Sequence, residues 1–220
     1  MEFPRGTRGM ACERAEKTSR RRARVKGAGR RSSNTRYPHV LGIDDAPFDK
    51  RQSGPVPIVG VMMEGATVVE SVVIGAFPVD GSDATAYLSR WIVGLRFFRA
   101  VQAVILGGVT IAGLGVVDVD LLSRELGRPV LVVTRRNPSS SDLERALRAA
   151  GLTDRVPILL RCPAAAPVSE GLFLAHAGVT PEEARHLVAA TVGKAHVPEP
   201  LRVAHLIARA LVLGESRGRV

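Results

Sequence analysis

An apolar run in the first half of the chain, Val40–Ile43, ends on two adjacent carboxylates, Asp44 and Asp45. Such a run predicts a buried strand. In open α/β sheets the chemistry lies beyond the carboxyl ends of the strands, so this strand end is a candidate site. Because neighbouring strand residues point to opposite faces of a sheet, only one of the two carboxylates can face that site. We expect the other one to cap a turn, which for Asp45 is the adjacent Ala46–Pro47 turn.

Further short apolar runs alternate with helical patterns along the chain. A hairpin contributes antiparallel strands and strand–helix–strand units contribute parallel ones, so the order predicts an α/β domain with a mixed sheet. The predicted strands are Val40–Asp44, Ile58–Met63, Thr67–Phe77, Ala103–Leu106, Pro129–Thr134, Val156–Leu160 and Leu172–Ala175. The predicted helices are Asp83–Phe98 with Ser82 as N-cap, Asp118–Leu126, Ser141–Ala150, Thr180–Val192 and Pro200–Leu213.

The positive charge is concentrated at the N-terminus. Residues 1–36 contain 12 Arg or Lys against 3 Glu, a balance of +9, so only +1 of the chain's +10 remains for residues 37–220. Basic segments of this kind bind phosphate backbones without reading sequence. We therefore expect a flexible basic arm over residues 1–37 and an α/β domain over residues 38–220. The plainer alternative is a disordered extension without a binding role.

Cysteine usage and hydropathy exclude several protein classes. Cys12 and Cys162 are the only cysteines and no CxxC occurs, which argues against a disulfide framework or a Cys-rich zinc site. No apolar segment follows the basic N-terminus, so a cytoplasmic protein is expected. The uncharged stretch Ala100–Val117 contains Gln102, Thr110 and four glycines. These residues favour a buried strand that enters a glycine-rich loop over a membrane span.

Several acidic residues lie where predicted segments end, and a histidine follows near the C-terminus. They are Asp44, Asp45, Glu70, Asp80, Asp83 and His205. Oxygen ligands in such positions suit Mg²⁺ or Mn²⁺, which can activate water for phosphodiester cleavage. Each residue also has a plainer structural role, for example as a turn cap or as a first-turn acid of a helix. Spacing alone does not decide between these roles.

Two arginines, Arg135 and Arg136, directly follow the predicted strand Pro129–Thr134. This position places two guanidinium groups beside the crevice at the strand ends. Guanidinium groups suit bidentate contact with phosphate, so both arginines are candidate nucleic-acid-binding residues.

Five sequence words occur in order over roughly residues 38–218: Leu41–Phe48, Val79–Thr85, Val132–Arg136, Pro198–His205 and Gly214–Gly218. Together they resemble the archaeal "domain of unknown function 99" family. That family is similar to endonuclease V, a Mg²⁺-dependent nuclease that cuts near deaminated adenine. The resemblance implies a ribonuclease H-like mixed sheet with flanking helices and a nucleic-acid partner. It also implies an endonuclease V-like activity on a deaminated or structured substrate.

The resemblance also implies roles for individual residues. Asp44 matches the metal-binding aspartate of the first strand, Asp83 lies near the second carboxylate, and His205 matches a late histidine. Asp44 and Asp83 would then hold Mg²⁺ or Mn²⁺, and all three residues would be catalytic. The third family carboxylate should end the central strand, where this chain has Gly107. Asp118 replaces that ligand only if the glycine-rich loop folds back.

Two alternative functions follow from the glycine at position 107. Since glycine offers no ligand, the first alternative is a catalytically impaired module that binds nucleic acid or a nucleotide. The second is a scaffold that binds a protein partner.

Overall fold

The computed structural model describes residues 37–49, 54–137 and 139–217. The predicted basic arm, apart from Tyr37, lies outside the described residues. Over the described part of the chain the strands are β1 His39–Asp45, β2 Pro55–Glu64, β3 Val68–Pro78, β4 Ala103–Leu106, β5 Thr110–Ile111, β6 Gly115–Val116, β7 Val130–Thr134, β8 Ala166–Ser169 and β9 Leu172–Ala177. The α-helices there are α1 Ala84–Val93, α2 Val119–Leu126, α3 Ser140–Ala149, α4 Val156–Arg161, α5 Pro181–Thr191 and α6 Glu199–Leu213.

A seven-stranded mixed sheet organises the domain, with the strand order β3-β2-β1-β4-β7-β9-β8. Strands β1, β4 and β7 run parallel at its centre, and antiparallel pairs flank them on both sides. The predicted mixed sheet is confirmed. Since the carboxyl ends of the three parallel strands meet at one edge, the residues that follow them are brought together there.

Alternating strand residues divide the core into two faces. One face, which we call the α6 face, packs Val40, Ile105 and Leu131 against α5 and α6. The residues between them point the other way and pack with α1 and α2 on what we call the α2 face. Within each strand the alternation decides on which face a side chain near the strand end lies.

Gly42 lets α6 lie directly on β1. A Cβ atom at this position would overlap the backbone of Pro200 and Leu201 in the first turn of α6. Further along the helix, Ala204 and Ala208 are fully buried. Small residues on both partners therefore set a close approach between the helix and the sheet, which a larger side chain at any of them would prevent.

The prediction of a strand at Val156–Leu160 is wrong, because this segment forms helix α4. Its buried residues, Val156 and Leu159, are three positions apart, and a proline lies in the first turn, which is favourable in a helix. A short apolar run fits either structure by its pattern alone. The short strands β5, β6 and β8 were not predicted, because they are too brief to show a period of two.

The first predicted helix, Asp83–Phe98, is shorter at both ends. It begins at Ala84, and Asp83 rather than Ser82 occupies the N-cap position. It ends at Val93, where Gly94 follows as the C-cap.

The uncharged stretch 100–117 contains β4 and the β5–β6 hairpin. No helix among the described residues has the length and apolar character needed to cross a membrane.

Candidate functional site

The side chains of Asp44 and His205 meet at the carboxyl end of β1. Asp44 Oδ2 lies 2.6 Å from His205 Nδ1, a separation typical of a short charge-assisted hydrogen bond. The carboxylate is 18% exposed and the imidazole 53% exposed. An ionised carboxylate can only accept, so Nδ1 carries the hydrogen. The other ring nitrogen, Nε2, is then free to accept or donate a proton at a ligand.

The local sequence explains why these two residues meet. Asp44 follows the parity of Val40 and Gly42 along β1, so it points to the α6 face. Because α6 packs against Gly42 at Pro200, the helix carries His205 over the end of the strand. Close packing of one glycine against one helix turn therefore produces the pair.

A cavity of about 670 Å³ opens beside this pair. Its apolar lining consists of Val133, Leu172, Val197, Leu201 and Leu206. Its basic lining consists of Arg135, Arg136, Arg202, Arg209 and Arg217. Among the described residues that line it, Asp44 is the one carboxylate. The cavity thus combines an acid–histidine pair with an excess of positive charge.

Three of these arginines, Arg135, Arg136 and Arg209, have no carboxylate partner among the described residues. The other two do. Arg202 donates from Nε and Nη2 to Glu199 Oε2, at 2.9 and 2.6 Å. This hydrogen bond raises the pKa of the Arg202 guanidinium above its usual value, so the group stays charged. Arg217 lies 3.5 Å from Glu215 at an exposed position, where an ion pair contributes little.

Asp45 points to the α2 face, away from Asp44. Its Oδ2 accepts a hydrogen bond from the backbone N–H of Ala112, at 2.9 Å. Burial raises the pKa of the Asp45 carboxyl to about 6, and the neighbouring charge of Asp44 adds to the effect. Ala112 itself has a φ of 47°, so Asp45 holds a turn that few alanines adopt. Asp45 therefore caps a turn, but the turn is at Ala112 and not the adjacent one at Ala46–Pro47.

Asp83 does not join Asp44 and His205. It is the exposed N-cap residue of α1, with a φ of 44°, and its carboxylate lies 3.4 Å from Ser82 Oγ. Helix α1 packs on the α2 face, where Trp91 would contact a Cβ at Gly60, whereas Asp44 faces α6. The two carboxylates predicted to share a metal ion thus lie on opposite sides of the sheet.

The remaining acidic candidates have structural partners. Glu70 Oε2 lies 2.7 Å from His39 Nδ1. Asp80 Oδ1 accepts a hydrogen bond from Leu114 N at 2.7 Å.

Asp118 caps α2 through Leu121 N and pairs with Arg161 at 3.1 Å. It does not line the cavity, so the glycine-rich loop does not bring it to Asp44.

Gly107 follows β4 directly and lies beside Asp44. A Cβ at this position would be 3.1 Å from Asp44 Oδ1, so an aspartate here would supply the second carboxylate of a cation site. With glycine, no group of three or more His, Cys, Asp or Glu side chains in the described part of the chain can hold a metal ion. The donor set present does not fit a divalent cation held by the protein alone.

Two cavity residues, Arg209 and Arg217, were missed by sequence reasoning. The spacing of Arg202, His205 and Arg209 contains a signal for the first, because residues at i, i+3 and i+7 share one helix face. Which face meets the site depends on how α6 docks on β1, and the periodicity does not specify this. Arg217 lies beyond the end of α6, in the stretch Gly214–Gly218 that contributed to the family resemblance, but the resemblance gave it no role.

Comparison with solved structures defines the class of the fold. The structure of endonuclease V from Ciona intestinalis, bound to a 24mer DNA that contains an inosine followed by a ribo-adenosine, matches with a TM-score of 0.50 and 13% identity. It covers 78% of this chain and 84% of that one. At this identity the likeness shows the fold, a ribonuclease H-like mixed sheet with flanking helices, as predicted.

The sequence identifies the family within that class. The profile of the family described as Endonuclease dU matches residues 36–212, and the chain belongs to that family. A relative from Methanothermobacter thermautotrophicus, named UPF0215 protein, is 37% identical over 183 residues, which are 81% of this chain and 90% of the relative. A structure from Archaeoglobus fulgidus, described as a protein of unknown function, has a TM-score of 0.73 and 32% identity. It covers 80% of this chain and 98% of that one.

Proposed function

We propose that this protein is an endonuclease V-like nucleic-acid endonuclease that cuts beside a deaminated base. One observation carries the proposal: an Asp44–His205 pair, 2.6 Å apart, lies in a cavity that five arginines line. The family description, Endonuclease dU, makes deoxyuridine in DNA the first substrate to test. The inosine in the DNA bound to the Ciona endonuclease V makes deoxyinosine the second.

The residues of the cavity have complementary roles in this proposal. Arg135, Arg136 and Arg209 neutralise the phosphates of the bound strand. His205, which Asp44 orients through Nδ1, accepts a proton from the attacking water at Nε2. The water oxygen bonds to phosphorus, the bond from phosphorus to the leaving deoxyribose oxygen breaks, and that oxygen takes a proton from solvent. The arginines stabilise the charge that develops on the phosphate.

The dependence on Mg²⁺ or Mn²⁺ expected from the resemblance does not follow from the residues present. Among the described residues, Asp44 is the one carboxylate that lines the cavity, and its Oδ2 already accepts from His205. The proposed steps therefore use only the side chains of the cavity. Cleavage with added Mg²⁺, with added Mn²⁺ and with a chelator separates a cation requirement from the chemistry of the Asp44–His205 pair.

The test is cleavage of labelled single-stranded and duplex DNA that contains deoxyuridine, deoxyinosine or neither. We expect His205→Gln and Asp44→Asn to lower the rate by about a hundredfold or more, the usual cost of losing a general base or the group that orients it. The exposed His186→Gln on α5 is the matched control and should cleave like the unmodified protein. Unchanged rates in both cavity variants would contradict the proposal.

Gly107 supports one alternative function, a binding module that no longer cleaves. In that case the unmodified protein binds the same oligonucleotides but leaves them intact with either cation. Gly107→Asp would then add a carboxylate beside Asp44, and Mn²⁺ should raise the melting temperature of this variant more than that of Gly107→Asn, which lacks the charge. Cleavage by the unmodified protein would exclude this alternative.

A further inference from the structure

We propose that one face of α6 is a track for the phosphates of a single nucleic-acid strand, with one phosphate facing His205 and its neighbours held by Arg202 and Arg209. This inference deepens the proposed function, because it rests on a nucleic-acid ligand and specifies the form in which that ligand enters the cavity.

The spacing of the three residues is the first support. Arg202, His205 and Arg209 lie at i, i+3 and i+7 of one helix, and all three line the cavity. With a rise of about 1.5 Å per residue, Arg202 and Arg209 are about 10 Å apart along the axis, and His205 lies between them. Consecutive phosphates of an extended strand are separated by a distance comparable to one helical turn. Two turns of α6 therefore match three successive phosphates.

The unpaired charge is the second support. Arg209 has no carboxylate partner among the described residues, and neither do Arg135 and Arg136, which follow β7 and line the same cavity. Arg202 donates to Glu199 from Nε and Nη2, so it would hold a phosphate through Nη1. Unpaired guanidinium groups from two different elements of one cavity lining can bind a polyanion that enters the cavity.

The size of the cavity favours a single strand over a duplex. Asp44 is 18% exposed and lies beside a cavity of about 670 Å³, which a double helix does not enter. A phosphodiester reaches His205 beside Asp44 only when its strand has left the duplex or was single from the start. Enzymes that act on bases inside a duplex meet the same restriction and take single-stranded or extruded segments.

The chemistry of the lining predicts how the strand is held. The cavity has no aromatic side chain among its described lining residues, so it offers no platform on which bases could stack. Binding should therefore depend on the phosphate backbone of the strand and on the salt concentration, with little preference for base sequence. An acidic polypeptide lacks the regular phosphate spacing and should compete poorly.

The experiment measures binding of the full chain to labelled oligonucleotides of about 2 to 10 nucleotides, single-stranded and duplex, across a salt series. We expect Arg209→Gln to weaken single-strand binding by about threefold to tenfold and to lower the salt slope by about 0.7, the loss of one phosphate contact. The control is Arg124→Gln, an exposed arginine on α2 that removes the same charge from the other face of the sheet. It should leave both quantities nearly unchanged.

Equal effects of the two variants would overturn the inference, and so would equal competition by poly-glutamate and by single-stranded DNA. Melting curves of both variants establish that each is folded. The outcomes also separate the inference from the proposed function. If Arg209→Gln has no specific effect on single-strand binding but Asp44→Asn abolishes cleavage, the phosphate track is wrong and the endonuclease activity is supported. If Arg209→Gln specifically weakens single-strand binding and the unmodified protein cleaves nothing, the phosphate track is supported and the endonuclease activity is not.

Discussion

At the scale of single residues, the adjacent Asp44 and Asp45 have different roles because their side chains lie on opposite faces of the sheet. Asp44 faces α6 and meets His205, whereas Asp45 faces the opposite side of the sheet and binds the N–H of Ala112. The alternation of a strand is sufficient to predict that they diverge. Which of them joins the site depends on where α6 docks, and only the structure shows this.

The buried Asp45 carboxyl should make stability depend on pH in a defined direction. Its pKa is raised from 3.8 to about 6, so between these values the folded chain keeps a proton that the unfolded chain has released. Stability from this residue is therefore fully present below pH 3.8 and is lost as the pH rises through about 6. Asp45→Asn keeps an acceptor for Ala112 and removes the charge.

We expect Asp45→Asn to raise the free energy of unfolding by about 1 to 2 kcal/mol at about pH 8, less than the full pKa shift implies because the group retains some solvent. At about pH 4 the gain should nearly vanish, since Asp45 is then neutral in the folded protein. Urea unfolding at both pH values measures the difference. The exposed Asp154→Asn should show no such trend, and a gain independent of pH would refute the assignment.

At the scale of elements, the docking of α6 on β1 determines whether a site exists at all. The helix supplies Arg202, His205 and Arg209, and β1 supplies Asp44. Neither element has these groups arranged for chemistry by itself. Their contact depends on Gly42, because a Cβ there would overlap the backbone of Pro200, and backbone atoms cannot rotate away as a side chain can.

Gly42→Ala should therefore damage the site without changing any of its residues. We expect the free energy of unfolding to fall by about 1 to 3 kcal/mol, a typical cost of overpacking, and α6 to shift away from β1. The Asp44–His205 hydrogen bond should weaken, and this is measurable as a changed NMR shift of the His205 ring. Gly108→Ala is the matched control, because its Cβ would meet its nearest neighbour at 3.8 Å. Similar behaviour of the two variants would show that the close approach does not position His205.

The elements also show what a sequence can and cannot specify. The strong apolar runs predicted β4 with the same ends that the structure shows. They predicted β1 and β7 to within one residue at each end. Helix α5 was predicted from Thr180 and Glu183, which form a complete capping box. The run at 156–160 was misassigned, because its apolar residues suit a strand and a helix equally. Spacing does not encode which elements touch. The family resemblance named Asp44 and His205, whose side chains meet, but it also named Asp83, which lies at the start of α1.

At the scale of the whole molecule, the parallel centre of the sheet explains where the site lies. Strands β1, β4 and β7 end at the same edge, which brings together Asp44 near the end of β1, Gly107 after β4 and Arg135 after β7. Antiparallel strands on both sides complete the sheet and contribute one lining residue, Leu172 at the start of β9. The same edge holds Gly107, where the family resemblance implied a third carboxylate.

Positive charge is found both in the lining of the cavity and in the N-terminal segment of the chain. Residues 1–36 carry +9 of the net +10, and the Endonuclease dU profile begins at residue 36. The family domain thus starts where the basic segment ends, so removal of residues 1–36 should leave the domain folded. If the segment contacts the backbone of bound nucleic acid, its deletion should lower affinity and reduce the salt slope by several units, about 0.7 to 0.9 for each lost phosphate contact.

The choice of cleavage position and the effect of Arg209→Gln should persist in the shortened chain, because both belong to the cavity. Anisotropy titrations of the full and shortened chains over a salt series, together with mapping of the cleavage products, measure the two contributions separately. A salt slope that is the same with and without residues 1–36 would show that this segment makes no contact with nucleic acid. A changed cleavage position would instead show that the segment helps to choose the substrate, a role that its charge alone does not predict.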